Sequence, residues 1–154
     1  MGKKYWLIKS EPNAYSIDDL VKDKRTHWDG VRNYQARNFM RDEMKTGDKI
    51  LFYHSNANPP AVVGVCEVVK EAYPDFTAFD SKDKHYDPKS KKENPTWMMI
   101  DIQIIEKLNR PVTLEEIKQN PKLKNMRLVK RGNRLSVMPI EKTEFNEILK
   151  MSNR

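Results

Sequence analysis

Three apolar segments that follow one another through turns and loops place the strongest constraint on the fold. Lys49–Tyr53 and Ala61–Val69 are separated by the polar turn Asn56–Pro60, and Trp97–Ile105 comes later in the chain. In the third segment isoleucines alternate with polar residues, which is typical of a strand with one buried and one wet side. Because no regular alternation of strand and crossover helix joins these segments, the sequence predicts a mixed or antiparallel sheet.

Two further strands are expected at the ends of the chain. Lys4–Lys9 is almost wholly apolar between its lysines, which predicts a strand covered on both faces. Leu135–Val137 is a short final strand. The predicted fold class is therefore α+β, a small curled barrel of about five strands in mixed or antiparallel order with short helices packed outside it.

Four short helices are predicted from their start signals, which are Ser16, Asn33, Thr113 and Thr143. The first and third carry an acidic residue three positions after the cap, Asp19 and Glu116, as in a capping box. Gly47 is expected to end the second helix, because glycine commonly follows a helix C-terminus.

The remaining segments are expected to be irregular. Lys22–Thr26 reads as a charged loop, and Ser81–Pro95, which is polar and rich in lysine, as a long solvent-exposed loop. Gly64 lies inside a valine-rich strand, which indicates a bulge or the close approach of another group. Trp6 and Trp97 lie in strand patterns and are expected in the core.

Composition limits the classes of function. The chain has 154 residues, which favours one domain over 1–154, and a formal net charge of +7, which favours polyanionic partners such as nucleic acid. Its single cysteine, Cys66, lies in an apolar run, so an inert core thiol is expected rather than a reactive one. Since no run is long and apolar enough for a membrane span or a signal peptide, we expect no membrane partner and an intracellular, cytoplasmic location, nuclear in a eukaryote.

The motifs of common catalytic sites are not recognisable in the sequence. The three histidines have no metal-ligand spacing, and there is no phosphate-binding glycine-rich loop or dinucleotide fingerprint. We therefore predict no metal, no cofactor and no catalytic residue. The alternative is a small enzyme acting on a modified nucleobase, with Lys9 and Glu11 beside Ser10 as its polar centre.

Aromatic residues beside polar groups and positive charge favour binding to nucleic acid, because bases stack on rings while cations hold phosphates. Trp28, flanked by polar residues, suits either a pocket wall or a ring that caps the core. Asn33 is either a helix N-cap or a reader of base edges. The run Lys122–Arg134 carries six positive residues and no acid, and it is either a solvated face or a backbone-binding rim that includes Lys130 and Arg131.

Several strings together resemble the EVE domain family over nearly the whole chain. They are YWLIKSEP at 5–12, WDGVRNYQARN at 28–38, Gly47-Asp48, FYHS at 52–55, AYPDFTA at 72–78 and GNRLSV at 132–137. The layout of Lys9-Ser10 followed by Trp28 is also similar to the related YTH domain, where a tryptophan lines a modified-base pocket.

The resemblance implies a PUA-like fold and binding of a modified base, a cytosine derivative especially, in DNA or RNA. By position it implies a base pocket formed by Ser10, Glu11, Trp28, Asn33, Tyr34 and Ser55. It also implies phosphate or rim contacts from Arg32, Arg37 and Arg134. The oligomeric state stays open.

Overall fold

Six strands form one mixed sheet in the computed structural model, which describes residues 3–153. The strands are β1 (Tyr5–Ser10), β2 (Arg25–Trp28), β3 (Lys49–His54), β4 (Ala61–Pro74), β5 (Met98–Thr113) and β6 (Val137–Ile140). Their order is β2-β5-β4-β3-β1-β6, with β1 and β3 parallel and the other neighbouring pairs antiparallel. The predicted mixed sheet is confirmed. It is not closed into a barrel by pairing, because within residues 3–153 β2 and β6 are its two edges.

The strand β2 corrects the prediction of a charged loop over Lys22–Thr26. Arg25 to Trp28 pair with Gln103 to Ile100 of β5. Thr26 and Trp28 are half-buried while Arg25 and His27 are exposed, so the strand alternates. A strand of four residues with charged groups on its outer side offers too short an alternation to stand out in the sequence.

The two longest strands extend beyond their predicted ends, to Pro74 in β4 and Thr113 in β5, and their pairing shifts register several times. One shift falls at Gly64, which confirms the predicted bulge. A Cβ atom at this position would lie 2.3 Å from Cδ1 of Ile17, so the missing side chain lets a helix approach the sheet.

Four α-helices are present in residues 3–153, as predicted: α1 (Ile17–Asp23), α2 (Tyr34–Asp42), α3 (Leu114–Gln119) and α4 (Lys142–Ser152). The capping boxes of α1 and α3 are confirmed, with the hydroxyls of Ser16 and Thr113 accepting from the backbone of Asp19 and Glu116. Short 3₁₀ turns cover Phe76–Phe79, Pro121–Leu123 and Arg127–Val129. No helix of the described part of the chain is long and apolar enough to span a bilayer.

Three predicted boundaries were wrong by a few residues. The helix α2 ends at Asp42, where the N–H of Glu43 bonds to Phe39, and Gly47 (φ +91°) instead shapes the turn into β3. The cap of α4 is Glu141 rather than Thr143. The last strand begins at Val137 rather than Leu135, because the N–H of Leu135 donates to the side chain of Asn133 instead of to a neighbouring strand.

The core lies against the central strands and under the helices. Trp6, Leu7 and Ile8 of β1 are fully buried, which confirms a strand covered on both faces, and Trp97 is 5% exposed. The indole N–H of Trp6 donates to the buried carboxylate of Asp48 at 3.0 Å. Cys66 is buried, and burial raises the pKa of its thiol, so it is an inert core residue as predicted.

Candidate nucleic-acid interface

A cleft of about 930 Å³ opens where the C-terminal ends of β1, β2 and β3 converge. Ser10 and Glu11 stand at the end of β1, Trp28 at the end of β2 and Ser55 after β3, and all four line the cleft. The opposite wall is Lys82–His85, and Arg134 closes the rim next to β6. The structure thus brings together five residues that the sequence predicted for a site.

Hydrogen bonds fix the floor of the cleft. The Ser10 side chain, 8% exposed, donates its hydroxyl hydrogen to the carbonyl of Tyr15 at 2.5 Å. The N–H of Ser55 donates to the Ser10 carbonyl at 2.9 Å. With its one hydrogen engaged, the Ser10 hydroxyl can offer a ligand its lone pairs, so it serves as an acceptor in the cleft.

The orientation of Trp28 is set by two neighbouring rings. Its ring centroid lies 6.2 Å from that of Tyr15 and 5.6 Å from that of Phe52, and both pairs meet nearly edge to face. Trp28 is half-buried, so it packs against the core while part of it lines the cleft. The two alternatives left open by the sequence, a core ring and a pocket wall, are both compatible with this position.

The turn that follows Trp28 is held by Asp75, a fully buried carboxylate that sequence reasoning did not single out. Its oxygens accept from the N–H of Gly30 (2.8 Å), from Arg32 Nη1 (3.0 Å) and from the backbone and hydroxyl of Thr77. Burial works to raise the pKa of Asp75, but the hydrogen bonds from Thr77, Gly30 and Arg32 hold that pKa below its ordinary value. Asp75 therefore stays ionised and ties the cleft to the strand β4.

Arg32 links this carboxylate to the loop that walls the cleft. Its five guanidinium hydrogens meet Val31 O, Asp75, Thr77 Oγ1 and, twice, the carbonyl of His85. Since every donor is engaged within the protein, none is left for the phosphate contact that the family resemblance implies. The loop 81–95 is further held by the indole of Trp97, which donates to Asp87 at 2.7 Å.

Asn33, Tyr34 and Arg37 lie outside the lining of the main cleft. Asn33 is the N-cap of α2, as its Oδ1 accepts from Ala36 N at 2.9 Å, and it lines a smaller groove of about 340 Å³ that shares Arg134 with the cleft. Tyr34 is 62% exposed and stacks on Trp97, with centroids 4.9 Å apart. Arg37 lies over the Tyr34 ring and donates to the Thr96 carbonyl at 2.8 Å.

Unpaired positive charge surrounds the cleft. Within residues 3–153, the side chains of Lys82, Lys84 and Arg134 are exposed and make no hydrogen bond or ion pair. The carboxylate of Asp83, on the same wall, is turned back to the backbone and ring of His85. Lys130 and Arg131 are also exposed and unpaired in the described chain, but they do not line the cleft.

Two titratable groups at the end of the parallel strand pair are shifted by burial. Burial lowers the pKa of Lys9, which lines the cleft. Burial likewise lowers the pKa of His54, whose Nε2 accepts from the N–H of Ile17 at 3.0 Å. A ring that accepts through Nε2 is neutral there, so His54 supports the start of α1 rather than binding an anion.

Three parts of the site were not predicted from the sequence, namely Tyr15, Asp75 and the wall Lys82–His85. Asp75 lies in the string AYPDFTA, which carried part of the family resemblance. The string therefore marked this segment, but it did not indicate a structural role for the Asp75 carboxylate. The wall lies in a loop with no periodicity, and its place beside Trp28 depends on contacts with residues more than fifty positions away.

Comparisons with known proteins agree with this fold. The family model for the EVE domain matches residues 4–151. The chain therefore belongs to the EVE domain family, which confirms the resemblance seen in the sequence.

Individual relatives are similar over most of their length. Thymocyte nuclear protein 1 of Gallus gallus is 46% identical over 166 residues, which span 96% of this chain and 68% of the relative. A hypothetical protein from Leishmania major is 48% identical, with a TM-score of 0.94 over 99% of this chain and 96% of the other. Human THYN1 protein, in complex with 5-methylcytosine-containing DNA, is 42% identical, with a TM-score of 0.91 over 99% of both chains.

Proposed function

We propose that the protein is a non-catalytic nucleic-acid-binding module that recognises a modified base, a cytosine derivative, in the cleft beside Trp28. The observation that carries the proposal is the convergence of the half-buried indole of Trp28, the buried Ser10 and unpaired cations at one cleft. The human relative in complex with 5-methylcytosine-containing DNA supports it, since the two chains share 42% identity over nearly their full lengths.

Each lining residue has a chemical role in this proposal. A base turned out of its strand stacks on Trp28, and the acceptor lone pairs of Ser10 meet a donor on its edge. The exposed carboxylate of Glu11 suits the exocyclic amino group of cytosine, which carboxylates accept from in other complexes. Ser55, half-buried on the other side of Ser10, adds a hydroxyl that can donate or accept.

Phosphate contacts supply the affinity that the base alone does not. Turning out a base costs a few kcal/mol and stacking returns about 1–3 kcal/mol, so the two nearly cancel. We assign the phosphate contacts first to Lys82, Lys84 and Arg134, which are exposed and unpaired at the cleft. Lys130 and Arg131 extend this rim in the proposal, whereas Arg32 and Arg37 are engaged in holding the fold.

The proposed partner is DNA in the first place, because the human relative is in complex with DNA. RNA is included in the binding test described below, but it is not part of the proposal. We also propose an intracellular location, nuclear in a eukaryote, on the ground that relatives are named thymocyte nuclear proteins.

The alternative function is turnover of a modified nucleobase. What favours it is the presence of Lys9 and Glu11 in the same cleft as Ser10. Against it, the Ser10 hydroxyl donates to a backbone carbonyl rather than to a general base. Incubation with modified nucleosides decides between the two, since release of an altered nucleoside that is lost in Glu11→Gln would establish the enzyme.

The experiment that tests the reader function is a titration against matched oligonucleotides at one stated salt concentration. The set contains single- and double-stranded DNA and RNA with plain cytosine, modified cytosine and modified adenine. Tighter binding to one modified cytosine is the expected result. Equal binding to every oligonucleotide would reduce the protein to a basic surface and overturn the base-reading part of the proposal.

A further inference from the structure

Lys9 is the cleft residue to which the proposed reader function gives no role. It is the penultimate residue of β1, it is among the residues that line the cleft, and it is half-buried. Within residues 3–153 its Nζ makes no hydrogen bond and no ion pair. The other two lysines that line the cleft, Lys82 and Lys84, are exposed.

We propose that Lys9 captures an aldehyde carried by a nucleic acid, by forming a reversible imine with it inside the cleft. The inference rests on the proposed function, since binding of a nucleotide beside Trp28 is what would bring the aldehyde to the amine. Two sources share this chemistry. One is a formyl group on the cytosine ring, and the other is the opened sugar of an abasic site.

The reaction needs no reagent other than the amine and the aldehyde. The Nζ lone pair attacks the carbonyl carbon to form a C–N bond, and the carbonyl electrons move to oxygen, which takes up a proton. The resulting carbinolamine loses its hydroxyl as water and its nitrogen gives up a proton, which leaves a C=N bond. One amine and one aldehyde thus give one imine and one water, and the exposed carboxylate of Glu11 in the same cleft can relay the protons.

The surroundings of Lys9 keep its amine available for this step. Only the neutral amine attacks, and half-burial without a carboxylate partner disfavours the ammonium form, so the pKa of Lys9 is lowered from the ordinary 10.5. A surface lysine paired with a carboxylate, such as Lys49 with Glu67 at 3.0 Å, holds its amine in an ion pair instead.

The test is borohydride trapping, which reduces an imine to a stable amine. Wild-type protein is incubated with oligonucleotides that carry 5-formylcytosine, an abasic site or 5-methylcytosine, and peptide mapping locates the modified residue. A trapped adduct on Lys9 with one or both aldehydes, and none with 5-methylcytosine, is the expected result. The two aldehyde arms identify the source.

Variants give the matched controls. In Lys9→Arg the charge is kept but no imine forms, so the adduct should be lost, while Lys150→Arg, at an exposed lysine of α4 outside the cleft lining, should leave it in place. The trapping rate should also rise with pH to a plateau below the 10.5 of an ordinary lysine. If Lys9→Arg does not fold by circular dichroism, the peptide map of the wild-type adduct still decides.

Anisotropy measurements of oligonucleotide binding, made in parallel, distinguish failure of this inference from failure of the proposed reader function. Binding of the oligonucleotides without a trapped adduct, or an adduct confined to other lysines, would overturn the role of Lys9 and leave the reader function standing. Absence of binding to every oligonucleotide would overturn the reader function and this inference together.

Discussion

The rings of Trp28 and Phe52 lie with their centroids 5.6 Å apart, although their strands β2 and β3 are separated in the sheet by β5 and β4. Such a contact is possible only if the sheet curls until its β2 edge returns over β3. The register shifts along β4 and β5 provide the bends. The cleft at the ends of β1, β2 and β3 is therefore a product of sheet curvature, and Trp28 is positioned by it.

Replacing Trp28 with alanine should remove the preference for a modified base. Loss of stacking is worth about 1–3 kcal/mol, or roughly 5- to 150-fold in the dissociation constant, while salt-sensitive binding through phosphates remains. Titration of Trp28→Ala and Tyr34→Ala against the same pair of oligonucleotides measures this. Tyr34 is the matched control, being an exposed ring outside the cleft, and a loss of preference in Tyr34→Ala alone would move the pocket to α2.

Neutralising Arg134 should weaken binding to all sequences alike. Each lost phosphate contact flattens the dependence of log affinity on log salt by about 0.7–0.9. Arg134→Gln is compared with Lys130→Gln and with Lys150→Gln, which changes a lysine of α4 that does not line the cleft. An unchanged slope in Arg134→Gln would show that this arginine is only a solvated group.

Removing the charge of Asp75 should destabilise the fold and loosen the cleft. In Asp75→Asn the largely buried guanidinium of Arg32 loses its counter-charge, and breaking a buried pair of this kind costs about 3 kcal/mol. Urea unfolding measures the free energy of unfolding. Asp42→Asn, which breaks an exposed pair with Arg41, should lower the free energy of unfolding much less than Asp75→Asn does, and equal costs for the two variants would refute the anchoring role.

The stability of the protein should fall as the pH drops below about 6.5 because of His54. Its folded-state pKa is lowered by burial from the ordinary 6.5, so the unfolded chain takes up the proton first as the pH falls. The loss begins near 6.5 and continues until the folded-state pKa is reached. In His54→Gln the slope over this range should flatten, and a wild-type slope in that variant would refute the role of His54.

The helices were predictable because their signals are local. Ser16 with Asp19 and Thr113 with Glu116 satisfy backbone groups within one turn, so the caps seen in the sequence are the caps of the structure. Gly47 was wrongly predicted to end α2, because the rule used considers only neighbouring residues. Gly47 has a positive φ in a turn, and its N–H donates to the carbonyl of Val68, a partner twenty-one residues away that no local rule predicts.

The candidate site was predictable in part. Ser10, Glu11, Trp28, Ser55 and Arg134 were named from the family resemblance, and the structure gathers them around one cleft. Asn33 and Tyr34, which stay predictions for the base pocket, lie beside that cleft rather than in its lining. The donors of Arg32 are satisfied by Asp75 and His85, which are distant in the sequence, so its structural role could not be read from residue type.

By itself the sequence determined the mixed sheet, the four helices, the buried β1 and the membership of the EVE domain family, because alternation, capping and motif strings are written in neighbouring residues. Only the tertiary structure decided which charges are free and where the cleft opens. Those outcomes depend on the curl of the sheet and on which distant groups lie within hydrogen-bonding distance of each donor. Asp75 accepts from Arg32, whereas no group within residues 3–153 pairs with the amine of Lys9.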